Sequence, residues 1–307
     1  MSAKILEGAI GKVADRWLPN LLGSPLLFWG GALILHVYSS DGGGSEFSKW
    51  FTALPEISQI IAVALGLGLA IASDSIVQQI ELPVLRLLEG YWPQWCDRPR
   101  RWKIHRVAER QAQVLKRLQQ IRIAALQNKS DPYDFEKQIA LEEKLRELPT
   151  NFESAPVNRY LMPTRLGNIL RAYERKPAEK YGLDAVVCWP RLWLLLPDPV
   201  KIDIGASRSE LNAAVRLVIW GILFTVWTIW THWWALVVGA ITAWLAYRWA
   251  INAAQAYGIL IESAFDTHRH LLYTALRFSP PTPGPQERAS GQQLTYYLRN
   301  KPFTAAK

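Results

Sequence analysis

The chain has 307 residues, 50% hydrophobic and 20% charged, with 35 Lys+Arg against 26 Asp+Glu and a formal net charge of +9. That composition excludes a wholly disordered chain. Two cysteines, Cys96 and Cys188, exclude a disulfide framework and a cysteine-rich zinc site.

Tryptophan is the outlier, at 15 residues. Its ring favours places where one end is apolar and the other wet, as at a membrane border. Residues 1–17 read as a cytoplasmic amphipathic segment ending at Trp17, with Lys4, Lys12 and Arg16 against Glu7 and Asp15.

From Trp17 to Ser40 no Asp, Glu, Lys or Arg occurs, and none occurs from Ile57 to Ser73. A spanning helix needs about 20 mainly apolar residues. The first gap predicts a span over roughly Leu18–Tyr38. The second predicts another, with Pro55 placed at its start. Asp41-Gly42-Gly43-Gly44-Ser45 reads as a flexible outer linker between them. Residues 18–97 thus hold two spans and an inner, amphipathic extension of the second, which Pro83 is placed to bend.

Residues 98–210 read as a cytoplasmic helical domain. Arg98-Pro99-Arg100-Arg101-Trp102-Lys103 suits anionic headgroups. Val107, Val114 and Ile121 recur every seven residues with Leu118 and Ala125 between them, and Gln111 is the polar exception. Asp131-Pro132 then restarts a helix carrying Phe135, Ile139 and Leu145. The two predict an antiparallel hairpin over 103–148, either packed on itself or offered to a partner protein. The aromatic stretch Tyr181–Pro197 is too short and broken to span. It reads as packed under the membrane or lying in its interface.

The gap from Leu217 to Tyr247 is ambiguous. As one helix it would run about 46 Å, against a hydrocarbon core of about 30 Å. A tight hairpin near Trp230-Thr231-His232-Trp233 instead makes a third and a fourth span within 211–278. A single long tilted helix is the alternative. Residues 279–307, with Pro280, Pro281, Pro283 and Pro285, read as a Pro-rich tail, an extended linker leading to a short ordered or flexible end.

The fold class expected is therefore an all-α integral membrane protein with four spans and a cytoplasmic helical domain inserted between the second and third. Basic residues avoid the two outer connections, which places both termini in the cytoplasm and the chain in the plasma (inner) membrane. Trp17, Trp92, Trp95 and Trp102 are then assigned to the inner border, and Trp230, Trp233 and Trp234 to the outer one. Trp29, Trp220 and Trp244 fall deeper and call for another explanation.

No Walker loop, nucleophile elbow, zinc-protease motif or dinucleotide fingerprint occurs, so neither an enzyme nor a cofactor is implied. His268 and His270 are two apart and do not share a helix face, which argues against a metal pair. Nucleic acid is a poor partner for a patch tied to a bilayer. Two rows do stand out. Ala62, Gly66, Ala70, Asp74 and Gln78 recur every four residues, with Glu81 near the same face. Small residues then an acid suit the wall of a cation pathway. Ala246, Ala250, Ala254 and Gly258 form a second row suited to tight helix packing. The function expected is a homo-oligomeric channel or pore. The alternative is a non-conducting anchor or scaffold presenting the cytoplasmic hairpin.

Overall fold

The computed structural model describes residues 24–39, 43–126, 136, 139–140, 161–229, 233–282 and 284–300. Among these, no strand occurs. Three helical stretches, starting at Glu56, Asp198 and Trp234, are long and apolar enough to cross a membrane. The chain divides into two units, one of Met1–Leu85 and Asn212–Ala250, the other of Arg86–Leu211 and Ile251–Lys307.

The first unit contains α1 (Ser24–Ser39), α2 (Gly43–Ala53) and the outer part of α3 (Glu56–Glu89). It also holds the end of α7 (Asp198–Phe224), a 3-10 turn over Thr225–Ile229, and the start of α8 (Trp234–Ala275). The apolar parts of the three long helices include the charge-free stretches 57–73, 217–229 and 234–247. Ile57, Ile60, Leu65, Ile229 and Leu236 are exposed there, as lipid-facing side chains are. α1, at 16 residues, is shorter than a full span. The start expected for the first span, at Leu18, lies outside the described residues, as does Trp17.

Residues 217–247 do not form one helix. Helix α7 ends at Phe224 and α8 begins at Trp234. A Cβ on Gly239 would lie 2.7 Å from the Gly221 carbonyl oxygen and from the Thr225 methyl, and one on Gly221 2.7 Å from the Ala243 nitrogen. Residues later in α7 thus meet residues earlier in α8, the register of an antiparallel pair. Glycine at these two points lets the backbones touch.

Two of the three deep tryptophans, Trp29 and Trp220, are accounted for by packing within this unit. The Phe28 ring lies 4.9 Å from Trp220, 5.9 Å from Trp227 and 5.3 Å from Trp29. The Trp29 indole N–H donates to the Ser73 hydroxyl at 3.1 Å. Trp244 is exposed, with the Arg248 guanidinium 5.3 Å above its ring.

One expectation needs correction here. The outer linker is helical from Gly43 rather than flexible, because Phe47 has Trp50 and Phe51 at the three- and four-residue steps to stack upon, at 5.9 and 6.1 Å. Pro83 lies inside a helix that runs on to Glu89.

The second unit takes in the end of α3, a 3-10 turn over Gln94–Cys96, α4 (Asp97–Leu126), α5 (Arg165–Tyr181) and α6 (Ala185–Leu195). The first part of α7, the second part of α8 and α9 (Pro285–Asn300) complete it. Helix α4 starts at Asp97, so the basic stretch Arg98–Lys103 is helical and forms its opening turns. Asp97 reaches Arg100 and Arg101 at 3.9 and 3.8 Å. The second arm of the hairpin expected over 103–148 lies almost wholly outside the described residues.

Helix α3 ends in a Schellman motif: Gly90 has φ +103, and Tyr91 N–H returns to the Arg86 carbonyl at 2.9 Å. Its last carbonyl, on Glu89, accepts from the Thr164 hydroxyl at 2.9 Å, and that oxygen also caps α5 by accepting from Gly167 N–H at 3.1 Å. Asn168, buried, closes the Met162–Thr164 loop with three hydrogen bonds of 2.8–2.9 Å.

Helix α6 buries Cys188 and Leu192 in the core of this unit, beside Phe265, Leu272 and Tyr273. Burial pushes the Cys188 thiol up to about 11, which makes it a structural thiol and not a nucleophile. The Tyr181–Pro197 stretch therefore packs into a helical core, while Val186 and Leu194 stay exposed.

The end of the Pro-rich tail is ordered. Residues 285–300 form a helix packed on α5 and α6. Pro285 suits a first helical position, and Glu287 in the first turn pairs with Arg269 at 2.6 Å. A Cβ on Gly291 would fall 1.8 Å from the Tyr181 carbonyl oxygen, so glycine permits the docking.

Candidate functional site

The first small-residue row lies along α3, and its members have different surroundings. Ala70 and Asp74 are buried, and the Gln78 amide donates to the Asp74 carboxylate at 2.8 Å. Glu81 is partly buried, 3.1 Å from the Arg216 guanidinium of α7. Ala62 is half-buried, and Gln78 is exposed. Gly66 and its neighbour Gly68 have open space beside them: no atom of the described residues lies within 4 Å of where a Cβ would stand. The row is therefore packed at its Ala70–Glu81 end, where Arg216 compensates Glu81, and open at Gly66 among the described residues.

The second row is buried along its length: Ala246, Ala250, Ala254 and Gly258. Gly258 packs on the Tyr173 ring so closely that a Cβ would lie 2.2 Å from it. Of the border tryptophans, Trp95, Trp102, Trp233 and Trp234 are exposed. Trp92 donates its indole N–H to the Leu87 carbonyl at 2.9 Å, with Lys103 5.1 Å above the ring. Trp230 lies outside the described residues.

A site the sequence does not announce lies in the second unit. The end of α3, α5, α6, α7 and α8 enclose a cleft of about 270 Å³ that carries Glu89, Glu174 and Arg208 among apolar and aromatic walls. None of these charges lies in the apolar windows 57–73, 217–229 and 234–247. Burial pushes the Glu89 carboxyl above the usual range, and the nearby Glu174 adds to that, against Arg208, Arg86 and Arg171. Burial likewise raises Glu174, although Arg171 approaches it at 3.7 Å. The Tyr257 phenol is raised by burial, opposed by Arg208, whose guanidinium lies 5.4 Å from the ring centre.

Carboxylates raised in this way, in a concave site, mark a place where a ligand's charge or a proton has an energetic effect. No local motif gives the site away, because its charges stand at positions 89, 174 and 208 on three different helices. Only the three-residue step from Arg171 to Glu174 hints at a polar face on α5.

Among the described residues no group of three or more His, Cys, Asp or Glu is placed to hold a metal ion. No family model, no curated protein and no solved structure matches the chain.

Proposed function

We propose that this chain is a homo-oligomeric membrane channel or pore whose second span, in α3, contributes to the pathway. The observation that carries the proposal is the open face at Gly66 and Gly68. It lies on a helix whose outer half is exposed and apolar, within a protomer that leaves it uncovered. Glycine faces of this kind let a second backbone approach in lipid. Copies arranged about that face bring Ala62, Gly66 and Gln78 toward a shared axis. Asp74 stands just behind Gln78 and supplies the negative field that favours cations. Glu81, neutralised by Arg216, contributes packing instead of field.

The accompanying topology has four spans, with α1 and its preceding residues as the first. Residues 98–210 form a cytoplasmic helical domain inserted between the second and third spans, with both termini on that side of a plasma (inner) membrane. Neither nucleic acid nor catalysis enters this reading, and the partners are lipid and other copies of the chain. Cross-linking tests the assembly: Gly66→Cys in a background lacking Cys96 and Cys188 is expected to form disulfide-linked dimers in native membranes. Absence of such dimers, with Trp244→Cys equally unreactive, would remove the basis for the pathway.

A second reading is favoured by the cleft in the other unit and by the docked α9. It makes the protein a non-conducting anchor or scaffold whose working part is the cytoplasmic unit, with a partner protein at 103–148. A membrane reconstitution that stays electrically silent while the isolated 98–150 segment captures a defined partner supports this reading over the first.

A further inference from the structure

The first unit holds a cleft of about 360 Å³ between α1, α7 and α8, with apolar and aromatic walls apart from Ser24 and Thr242. Contacts between its walls fix its long axis. Phe28 of α1 is level with Trp220 of α7, at 4.9 Å, and a Cβ on Gly31 would meet the Phe224 ring at 3.2 Å. These two helices therefore run in the same direction. Helix α8 runs the other way, with Ala243 against Gly221. One end of the cleft is thus formed by Ser24, Trp220 and Thr242, and the other by Ile34 and Trp234. From Ser24 to Ile34 the helix rises about 15 Å.

Polar groups gather at the first end. Trp220 is buried, and its indole N–H has no acceptor among the described residues. Trp220 stands one helical turn, about 6 Å, inside Arg216, the last charged residue before the charge-free stretch. That is the edge of the hydrocarbon, where the ester carbonyls of lipids lie. A buried donor without a partner is costly, and a saturated hydrocarbon tail cannot satisfy it. Leu27, Ile34 and Val238 on the lining are exposed, so the cleft opens sideways to lipid.

We propose that this cleft binds one acyl chain of a membrane ester lipid. Its ester carbonyl lies at the Trp220 and Thr242 end, and its methylenes run along Phe28, Phe224 and Val238. A chain carrying a carbonyl at that depth supplies the acceptor that the protomer lacks. The site goes beyond the channel reading: it rests on the membrane setting of the first unit and stands or falls independently of conduction.

The test is photolabelling of the full chain in a maltoside detergent, with a phosphatidylcholine whose acyl chain carries a diazirine. Saturable labelling is expected in peptides covering 24–34, 217–224 and 234–242. Unlabelled diester phosphatidylcholine is expected to compete at least about fivefold better than the diether lipid of the same chains and headgroup, which lacks only the carbonyls. Trp220→Phe combined with Thr242→Val is expected to bring that ratio close to one while labelling persists, and Val238→Trp is expected to block labelling. Labelling that does not saturate, cleft peptides left unlabelled as when a second copy fills the cleft, or equal competition by ester and ether lipids overturns the proposal. The lipid comparison uses the unaltered chain, so it holds whether or not the variants fold.

Discussion

The Arg216 guanidinium lies 3.1 Å from the Glu81 carboxylate, joining α7 to α3 at the inner border of the apolar windows. Both side chains are partly buried, so each partner compensates a charge that would otherwise be poorly solvated. Arg216→Ala leaves Glu81 unpaired and is expected to cost about 1–2 kcal/mol. The double variant Glu81→Gln with Arg216→Met is expected to lose less than the single one. Thermal unfolding in detergent, read as a double-mutant cycle, checks both.

Gly167 and Gly66 are both glycines on helices, with opposite surroundings. A Cβ on Gly167 would fall 1.8 Å from the Glu89 carbonyl oxygen, a backbone atom fixed by the end of α3. Gly167→Ala is therefore expected to destabilise the second unit by about 2 kcal/mol or more. Gly66→Ala meets open space and is expected to leave the protomer's melting temperature unchanged while weakening its self-association. Melting curves and analytical ultracentrifugation in the same detergent separate the two effects.

Glu262, on the part of α8 beyond its apolar window, accepts from Lys176 and Lys180, each at 2.6 Å. Burial pushes its carboxyl up, but the two lysines outweigh that and hold it below the ordinary value. A depressed carboxyl contributes stability above its unfolded pKa and loses it as pH falls through the folded one. Glu262→Gln is expected to cost about 1 kcal/mol at pH 7, a modest figure because Lys180 is largely exposed. The difference from the unaltered chain should close below roughly pH 4. Denaturation at a series of pH values measures it.

Glu174 carries the opposite sign. Burial raises its carboxyl, so the protonated form suits the folded state and charging it costs stability as pH rises. The side chain is about half exposed and paired with Arg171, so Glu174→Gln is expected to raise the melting temperature at pH 7 only slightly. The gain should vanish at pH values below the carboxyl's unfolded pKa.

The membrane character of the chain was legible because charge is absent over stretches that no surface helix tolerates, as from Leu217 to Tyr247. The doubling back at Gly221 and Gly239 was harder to read, since its turn has no Gly or Pro near Trp230 to mark it. Helix α9 was obscured by Pro280, Pro281 and Pro283, which draw attention to an extended chain. Its own signals, Pro285 at the start and Gly291 in the middle, acquire meaning only when Tyr181 is known to lie opposite. The row Ala62–Gln78 was visible by spacing. Which of its members face inward depends on α1 and α7, whose register the sequence does not encode locally. Glu89, Glu174 and Arg208 meet only through tertiary packing, and nothing near any one of them foretells the other two.

Conduction is the central claim, and current recording from the purified chain in planar bilayers tests it most directly. The account predicts discrete, cation-favouring steps, diminished by Asp74→Asn and blocked by Gly66→Trp. Currents no greater than those of protein-free bilayers, across voltage, pH and divalent ions and with assembly demonstrated in the same preparation, would contradict it.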